Sequence, residues 1–274
     1  MLTQKPGIPE IREFTKNSAP LIHCITNPIS IHDCANMILA VGARPIMAEH
    51  PEEVEEITEV SSALMLNLGN ITDARIISMQ RALSTANRKN IPVLLDLVGV
   101  TCSQLRRSFA KQLLSQGVFS VIKGNISEIL AAAELPYHGT GIDAGSQDAV
   151  SVENQAWYCE TARHLAKHLN CTVMATGKKD LIADAENAFL VSNGHAALSG
   201  VTGTGCMVGA LTAAYLPGSK AIFTKSGIFE TSSIIPDKTK VSYGTAAALL
   251  AAVAMGISGE LAAEISKGPG SFQT

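Results

Sequence analysis

The sequence predicts an α/β fold in which a mostly parallel sheet is covered by helices on both faces. Short apolar runs, rich in β-branched residues or leucine, alternate along the chain with segments of helix length. Parallel strands are joined by crossover helices and are buried on both faces, which matches this alternation. Of the 274 residues, 46% are hydrophobic and only 16% are charged, so the chain can form a large core and is not disordered.

Strands are predicted where apolar runs end in small or polar residues. One clear helix covers residues 72–88, with Thr72 as its expected N-cap. Another covers residues 153–169, where Tyr158 and Leu165 lie on one apolar stripe. The predicted strands cover residues 21–26, 44–48, 63–69, 92–97, 120–124 and 171–177.

Three further segments have distinctive compositions. Residues 136–151 are rich in Gly, Asp and Ser and predict a long loop, which is often functional inside a compact domain. Residues 217–243 contain two prolines and no clear period, so they predict an irregular connection between two helices. Residues 244–259 are largely Ala, Leu and Val but shorter than the roughly 20 residues of a membrane span, so they predict a buried helix.

Charge and cysteine content limit the function classes and the compartment. Lys and Arg total 21 and Asp and Glu total 24, so the net charge of −3 gives no electrostatic basis for binding nucleic acid or an anionic membrane. The N-terminal segment has no apolar core of signal-peptide length. The six cysteines include no C-x-x-C pair, so we expect no structural zinc site and reduced thiols in a cytoplasmic protein.

The strongest local motif is V-T-G-T-G-C at residues 201–206, followed by an apolar run over residues 207–216. Small residues that open a helix expose unpaired backbone N–H groups, and these groups attract an anion together with the helix dipole. Close packing of the helix explains the glycines alone equally well. The spacing of Gly203, Gly205 and Gly209 fits neither a dinucleotide fingerprint nor a P-loop.

Charged and polar residues follow several of the predicted strands. In open parallel sheets ligands lie at the carboxyl ends of the strands, so Asp96 is a candidate Mg²⁺ ligand, directly or through water. Glu128 is a second candidate, although the helix dipole alone also favours a carboxylate in a first helical turn. Lys123 places a cation beside the same edge. Thr176 ends another strand, which on sequence alone favours an ordinary turn over a nucleotide contact.

Short motifs in a fixed order extend over nearly the whole chain. The most specific are T-N-x-I at residues 26–29, G-A-x-P-x-M at residues 42–47 and V-T-G-T-G-C at residues 201–206. The others are L-N-L-G at residues 66–69, Asp96 with V-G-V at residues 98–100, K-G-N-x-S-E at residues 123–128, A-T-G at residues 175–177, N-G-H at residues 193–195 and G-P-G-S-F at residues 268–272. In this combination the chain resembles the hydroxyethylthiazole kinase family.

The resemblance implies a ribokinase-like fold with α/β/α layers, formed by residues 1–274 as a single domain. It implies a kinase that uses ATP and Mg²⁺ to phosphorylate the hydroxyl of 4-methyl-5-(2-hydroxyethyl)thiazole, a salvage step toward thiamine. Family members are typically homotrimers with thiazole pockets at the subunit interfaces. The alternatives are a kinase for a related pyrimidine alcohol and a non-catalytic paralogue that binds thiazole or nucleotide. No nucleic-acid or membrane partner is expected.

The resemblance also implies roles for individual residues. The backbone N–H groups of Gly203, Thr204, Gly205 and Cys206 would form an anion hole for the transferring phosphoryl group. The implied assignments are Met47, Gly203 and Asn27 for the thiazole, Lys123, Thr176 and Asn125 for ATP, Asp96 and Glu128 for Mg²⁺, and Thr204, Gly205 and Cys206 for catalysis.

Two roles are open for Cys206, which stands where related sugar and pyrimidine kinases carry an aspartate. Its thiolate could take the proton of the substrate hydroxyl, because a helix N-terminus lowers the pKa of a thiol. We favour a role for its backbone N–H and its small size instead, because the alcohol proton becomes acidic late in phosphoryl transfer.

The sequence also departs from the family pattern. Lys123 replaces a common arginine, which changes a bidentate phosphate contact into a point charge. Leu97 replaces a usual proline, and residues 217–243 resemble an insertion. The chain ends soon after Phe272, where the family usually continues into another helix.

Overall fold

The computed structural model describes residues 7–139, 145–226, 229–230 and 240–273. The strands are β1 (Leu21–Ile25), β2 (Arg44–Ile46), β3 (Ala63–Asn67), β4 (Val93–Asp96), β5 (Val121–Asn125), β6 (Thr172–Thr176), β7 (Asp180–Ala183), β8 (Ala188–Val191), β9 (Phe229–Glu230) and β10 (Lys240–Val241). The helices are α1 (Ile8–Ser18), α2 (Ile31–Ala40), α3 (Val54–Glu59), α4 (Asp73–Arg88), α5 (Gln104–Gln116), α6 (Ile126–Ala132), α7 (Gln155–Leu169), α8 (Thr204–Ser226), α9 (Tyr243–Ile265) and α10 (Pro269–Gln273).

The main sheet contains eight strands in the order β2-β1-β3-β4-β5-β6-β7-β8. Strands β1 to β6 are parallel to one another, whereas β7 pairs antiparallel with β6 and β8 pairs antiparallel with β7. Strands β9 and β10 form a separate antiparallel pair. The carboxyl ends of the parallel strands therefore share one edge of the sheet.

Helices cover both faces of this sheet, each over its own apolar cluster. Helices α1, α2, α8 and α9 lie on one face, and α4, α5, α6 and α7 lie on the other. Along β3, Met65 belongs to the first cluster, whereas its neighbours Leu64 and Leu66 belong to the second. Successive side chains of a strand point to opposite faces, so both faces of this central strand are buried. The predicted α/β/α architecture is confirmed.

The six predicted strands correspond to β1 to β6, and both clearly predicted helices are present. The hydroxyl of Thr72 accepts a hydrogen bond from the Arg75 backbone N–H at 3.2 Å, which confirms Thr72 as the N-cap of α4. Tyr158 and Leu165 are buried on α7, as their spacing predicts. Strands β7 and β8 were not predicted, because their antiparallel hairpin does not follow the alternation of strands and helices.

The prediction for residues 217–243 is wrong at its start, because α8 continues through Pro217 to its end at residue 226. A proline inside a helix costs about 3 kcal/mol. Here Ala214 and Leu216 are fully buried, and a Cβ added to Gly218 would lie 3.0 Å from the Phe14 ring of α1. This close packing outweighs the cost of the proline. Residues 227–228 and 231–239 lie outside the described residues.

The two long apolar helices α8 and α9 form the centre of one helical layer. By length and composition alone, both could cross a membrane. In this structure, however, 67% of the apolar window of α8 and 56% of that of α9 are buried inside the protein. The predicted buried helix at residues 244–259 is therefore confirmed, and it extends further than predicted, over Tyr243–Ile265.

The predicted loop at residues 136–151 is irregular where it is described, apart from a 3-10 turn at Ser146–Asp148. Buried Asp148 accepts hydrogen bonds from the Ser127 hydroxyl at 2.5 Å and from the His138 backbone N–H at 2.7 Å. These bonds fix the loop to the start of α6. Residues 140–144 of the loop lie outside the described residues.

Candidate active site

The predicted site residues converge on the edge of the sheet where the parallel strands end. This is the edge at which open α/β sheets bind their ligands. The residues at or just after these ends are Asn27 for β1, Met47 for β2, Asp96 for β4, Asn125 for β5 and Thr176 for β6, and Lys123 lies within β5.

The N-terminus of α8 lies at the same edge. Gly203 has a φ of +88°, a conformation that favours glycine, and a Cβ at this position would lie 2.8 Å from Cβ of Ser30. Gly203 therefore allows the helix to begin close to the start of α2. A Cβ on Gly205 would lie 3.5 Å from Nζ of Lys123, so the first turn of α8 faces the lysine ammonium. The N–H groups of a first helical turn have no partner within the helix and can bind an anion.

A buried ion pair lies beneath this turn. Nζ of Lys123 donates to Oδ2 of Asp96 at 3.1 Å, and both side chains are almost completely buried. Burial lowers the pKa of Lys123, but Asp96, Cys206 and Glu128 outweigh this effect and hold the pKa above its usual range. We therefore expect Lys123 to be charged at neutral pH, beside the N-terminus of α8.

Glu128 has a structural role in the ligand-free protein. Its Oε2 accepts from the Asn125 N–H at 2.7 Å while Oδ1 of Asn125 accepts from the Glu128 N–H at 2.9 Å, so the two residues cap α6 reciprocally. Its Oε1 accepts from the Gly99 N–H at 2.6 Å. Burial, with a further contribution from Asp96, raises the pKa of Glu128 to about 7. The carboxylate therefore lies in a site that favours an added positive charge.

The thiol of Cys206 is buried in the first turn of α8. Its Sγ accepts a hydrogen bond from Nδ2 of Asn67 at 3.2 Å. Burial raises the pKa of the Cys206 thiol above its usual value, and Asp96 raises it further, although Lys123 partly opposes the shift. The helix N-terminus therefore does not make this thiol acidic.

The remaining predicted residues line the two ends of this edge. Oδ1 of Asn27 accepts from the Ile29 N–H at 3.0 Å, and a Cβ added to Gly69 would lie 2.5 Å from Nδ2 of Asn27. Met47 is partly buried against the apolar cluster that contains α8. At the other end, the Thr176 hydroxyl donates to the Gly124 carbonyl at 3.3 Å.

The hydroxyl of Thr204 donates to the Leu198 carbonyl at 3.2 Å, which holds the start of α8 against the preceding turn. The structure therefore brings the predicted carboxylates, the lysine and the glycine-rich turn together. Met47 and Asn27 lie at the β1–β2 side of the edge, and Thr176 lies at the β6 side.

Sequence reasoning missed two residues of this region. Asn67 ends β3 after four apolar residues, just as Asp96 ends β4, so the signal that identified Asp96 also applies to Asn67. Asp180 begins β7 and accepts from the Gly177 N–H at 3.0 Å. Burial raises the pKa of Asp180 to about 6, while Lys123 lowers it. No pattern in the sequence places Asp180 near Lys123, because their proximity depends on the antiparallel hairpin of β6 and β7.

The donor set fits a Mg²⁺ ion that keeps much of its water. Among the described residues no group of three or more His, Cys, Asp and Glu side chains could enclose a metal. The buried carboxylates of Asp96 and Glu128 share one nearby cation, Lys123, and carboxylate oxygens can accept from metal-bound water in addition to their present donors. Mg²⁺ in phosphoryl-transfer sites is typically held by one or two carboxylates, water and substrate phosphates.

Comparison with solved structures agrees with this architecture. A crystal structure of a ribokinase-like superfamily protein from Enterococcus faecalis matches with a TM-score of 0.56 and 10% identity, covering 98% of this chain and 92% of that one. At this identity the match concerns the fold alone. The eight-stranded sheet and its helical layers thus define an α/β/α protein with the fold of that structure.

Closer comparisons narrow this class to one family. The model of the hydroxyethylthiazole kinase family matches residues 11–274. The protein named hydroxyethylthiazole kinase 2 of Clostridium botulinum is 44% identical over 264 residues, which cover 96% of this chain and 91% of the relative. The structure of a hydroxyethylthiazole kinase protein from Pyrococcus horikoshii has a TM-score of 0.79 and 32% identity, covering 97% of this chain and 89% of that one. The chain belongs to the hydroxyethylthiazole kinase family.

Proposed function

We propose that this protein transfers the γ-phosphoryl group of ATP to the hydroxyl of 4-methyl-5-(2-hydroxyethyl)thiazole, a salvage step toward thiamine. The observation that carries the proposal is the first turn of α8, which faces the buried ammonium of Lys123, in a chain of this family. Phosphoryl transfer requires the protein mainly to position the reactants and to stabilise charge. A helix N-terminus beside a lysine can position the phosphoryl group and stabilise its negative charge.

In this proposal the N–H groups of Gly203, Thr204, Gly205 and Cys206 form the anion hole for the transferring phosphoryl group. Fixed donors in a dry site stabilise developing charge strongly, because they need not reorganise during the reaction. The conformation of Gly203 and the Thr204 hydroxyl bond hold these donors in place before the substrate binds. Lys123 adds a positive charge beside the hole.

The nucleotide occupies the β5–β6 side of the edge, where Asn125 and Thr176 end neighbouring strands and Lys123 lies within β5. Asp96 and Glu128 would hold Mg²⁺ there, through water or directly. The bound ion supplies positive charge that neutralises the polyphosphate. Glu128 can serve this role while it caps α6, because each carboxylate oxygen has a second lone pair.

The thiazole occupies the β1–β2 side, where Asn27 and Met47 lie near the glycine-rich turn. Gly203 contributes its lack of a side chain, since a Cβ there would already meet Ser30. Met47 offers a flexible, polarisable surface of the kind that suits a sulfur heterocycle. This arrangement places the substrate hydroxyl between the pocket and the anion hole.

We infer that Cys206 acts through its backbone N–H and its size rather than as a base. Its thiol is buried, and both burial and Asp96 raise its pKa, so little thiolate is present at neutral pH. The proton of the alcohol becomes acidic late in a loose transition state and needs little early assistance.

We propose a homotrimer in the cytoplasm, formed by the one ribokinase-like domain of residues 1–274. Exposed apolar residues on one face of α9 support a subunit contact, because Ile257, Leu261 and Ile265 are 46%, 57% and 83% exposed and recur every four residues. All six cysteines are free thiols, as expected in a reducing compartment. Light scattering should give the trimer mass, and a fully active monomer would contradict the proposal.

A coupled ADP-release assay with a panel of alcohols tests the function. We expect turnover with hydroxyethylthiazole to exceed that with a hydroxymethylpyrimidine by at least about tenfold, since binding contacts discriminate by such factors. Lys123→Gln should abolish most turnover. Lys111→Gln is the matched control and should retain turnover, because Lys111 is an exposed lysine on α5.

The assay also separates the alternatives. Preferential turnover of the pyrimidine alcohol would assign the protein to the related kinase activity. Thermal stabilisation by thiazole or ATP without any ADP release would identify a binding protein without catalysis.

A further inference from the structure

Arg106 joins two turns at the ligand edge, although it lies on α5, outside the motifs that define the site. Its Nη1 donates to the Leu68 carbonyl at 2.9 Å and more weakly to the Val98 carbonyl at 3.4 Å. Its Nη2 donates to the Gly69 carbonyl at 2.8 Å. One guanidinium therefore bridges the turn after β3, residues 68–69, and the turn after β4, residues 98–99.

Each of these turns is connected by hydrogen bonds to a residue of the proposed site, one directly and the other through Asn67. In the turn after β4, the Gly99 N–H donates to Oε1 of Glu128 at 2.6 Å. In the turn after β3, the Gly69 N–H donates to Oδ1 of Asn67 at 2.8 Å, and Nδ2 of Asn67 donates to Sγ of Cys206. The two paths from Arg106 thus end on Glu128 and on Cys206.

The geometry around Arg106 is specific. Gly99 has a φ of +75°, and a Cβ at this position would lie 2.3 Å from Nη1 of Arg106. In the described part of the chain no carboxylate lies within ion-pair distance of this half-buried guanidinium, and its hydrogen-bond acceptors there are all backbone carbonyls. A planar fork of donors can hold two carbonyl groups at fixed separation, which a lysine cannot do.

We propose that Arg106 is a positioning residue for phosphoryl transfer, which fixes the Gly99 N–H against Glu128 and the Asn67 amide against Cys206. Without the Arg106 guanidinium the two turns are no longer joined, and the side chains of Glu128 and Cys206 lose the fixed donors that orient them. The inference rests on the proposed roles of Glu128 and Cys206. Small displacements of such groups cost large factors in rate, because preorganised charge acts over short distances.

The first test compares Arg106→Gln with Arg107→Gln, its matched control. Arg107 lies on the same helix and carries the same charge, but among the described residues its hydrogen bonds go to the Thr101 carbonyl, Tyr137 and Gln104, each at 3.3 Å. For Arg106→Gln we expect kcat to fall at least about tenfold with KM for the thiazole changed less than about threefold, since positioning acts in the transition state. Arg107→Gln should retain kcat within about threefold.

Arg106→Lys refines this test. It keeps the charge but can hold only one turn, so its kcat should lie between those of wild type and Arg106→Gln. A wild-type kcat for Arg106→Lys would show that charge alone matters and would overturn the positioning role.

A double-mutant cycle distinguishes positioning from general destabilisation. If Arg106 acts largely through Glu128, Arg106→Gln should slow the Glu128→Gln variant by less than about threefold. Fully multiplicative losses would overturn the inference. If Glu128→Gln alone has wild-type kcat, the proposed site itself is wrong. If Glu128→Gln is impaired while Arg106→Gln matches its control, only the role of Arg106 is wrong.

Hydrogen exchange supplies a readout without ligand or turnover. In ligand-free Arg106→Gln and Arg106→Lys, the amides of Gly69 and Gly99 should exchange at least about tenfold faster than in wild type, while core amides of β3 keep their protection. Unchanged exchange at both glycines would overturn the proposal. The exchange measurement on Arg106→Lys also decides the case if Arg106→Gln does not accumulate as folded protein.

Discussion

Replacing Cys206 with serine or alanine separates the two roles that its thiol can have in phosphoryl transfer. About 3% of a free thiol is ionised at about pH 7, since its pKa is about 8.5. Burial and Asp96 raise the pKa of Cys206 above its usual value, so the thiolate fraction in this protein is lower still. A base present in such a small fraction contributes little, and we expect both variants to retain turnover within about a hundredfold of wild type.

The two replacements differ in stability. In Cys206→Ala, Nδ2 of Asn67 loses its acceptor, and an unsatisfied buried donor costs about 1–3 kcal/mol. In Cys206→Ser the hydroxyl can still accept this bond, so the free energy of unfolding should stay closer to that of wild type. Urea denaturation measures this difference, with Cys159→Ser on α7 as the control for a thiol outside the site.

The rate assay is steady-state ADP release with saturating hydroxyethylthiazole. Cys206→Asp, which restores the carboxylate of related kinases, should remain active, whereas Cys206→Leu should lose more than Cys206→Ala because it crowds the anion hole. The reasoning is refuted if both alanine and serine variants lose about a thousandfold or more with unchanged ATP binding. A wild-type rate that rises about tenfold per pH unit toward pH 9, and a loss of that rise in the variants, would establish the thiolate as the base.

Asp96→Asn should cut kcat at least about tenfold while the protein stays folded, because a neutral amide cannot compensate a divalent ion; near-normal turnover at saturating Mg²⁺ would remove Asp96 from the site. Burial lowers the pKa of His23, so its stabilising contribution is present above about pH 6.5 and is lost as the pH falls through the lowered value. Between about pH 7 and 5 the free energy of unfolding should therefore fall more for wild type than for His23→Gln, by at most about 1.4 kcal/mol per pH unit. Equal losses in urea titrations at the two pH values would contradict this. Gly244→Ala puts a Cβ 2.6 Å from the Ser120 carbonyl oxygen and should cost at least about 1–3 kcal/mol in urea denaturation. Gly200→Ala, which meets nothing within 4 Å, is its control, and equal stabilities would be inconsistent with the packing described.

The sequence was most informative where local pattern and tertiary packing agree. Strands β1, β3, β4, β5 and β6 are apolar runs whose residues are almost all buried in the parallel sheet, so their composition alone indicates them. Asp96 was identifiable because a carboxylate after such a run lies at the ligand edge. The hairpin of β7 and β8 was missed because two antiparallel strands in succession do not follow the alternation of strands and helices, and β8 is only partly buried.

Long-range contacts explain what the sequence could not predict. Proline usually ends a helix, but Pro217 lies inside α8 because that helix is packed between α1, α2 and α9. The Lys123–Asp96 ion pair joins neighbouring strands whose register only the folded sheet defines. Similarly, Arg106 has no motif of its own, since its partners are backbone carbonyls that any residue can supply.

The central claim is that this chain moves a phosphoryl group from ATP to a thiazole alcohol at the edge of the sheet where the N-terminus of α8 faces Lys123. One ³¹P NMR experiment tests it directly, with enzyme, ATP, Mg²⁺ and hydroxyethylthiazole in a single sample. We expect a phosphate monoester to appear in an amount equal to the ADP formed, and both products to form far more slowly with the Lys123→Gln variant. ADP accompanied only by inorganic phosphate, or a monoester formed equally well by Lys123→Gln, would contradict the account.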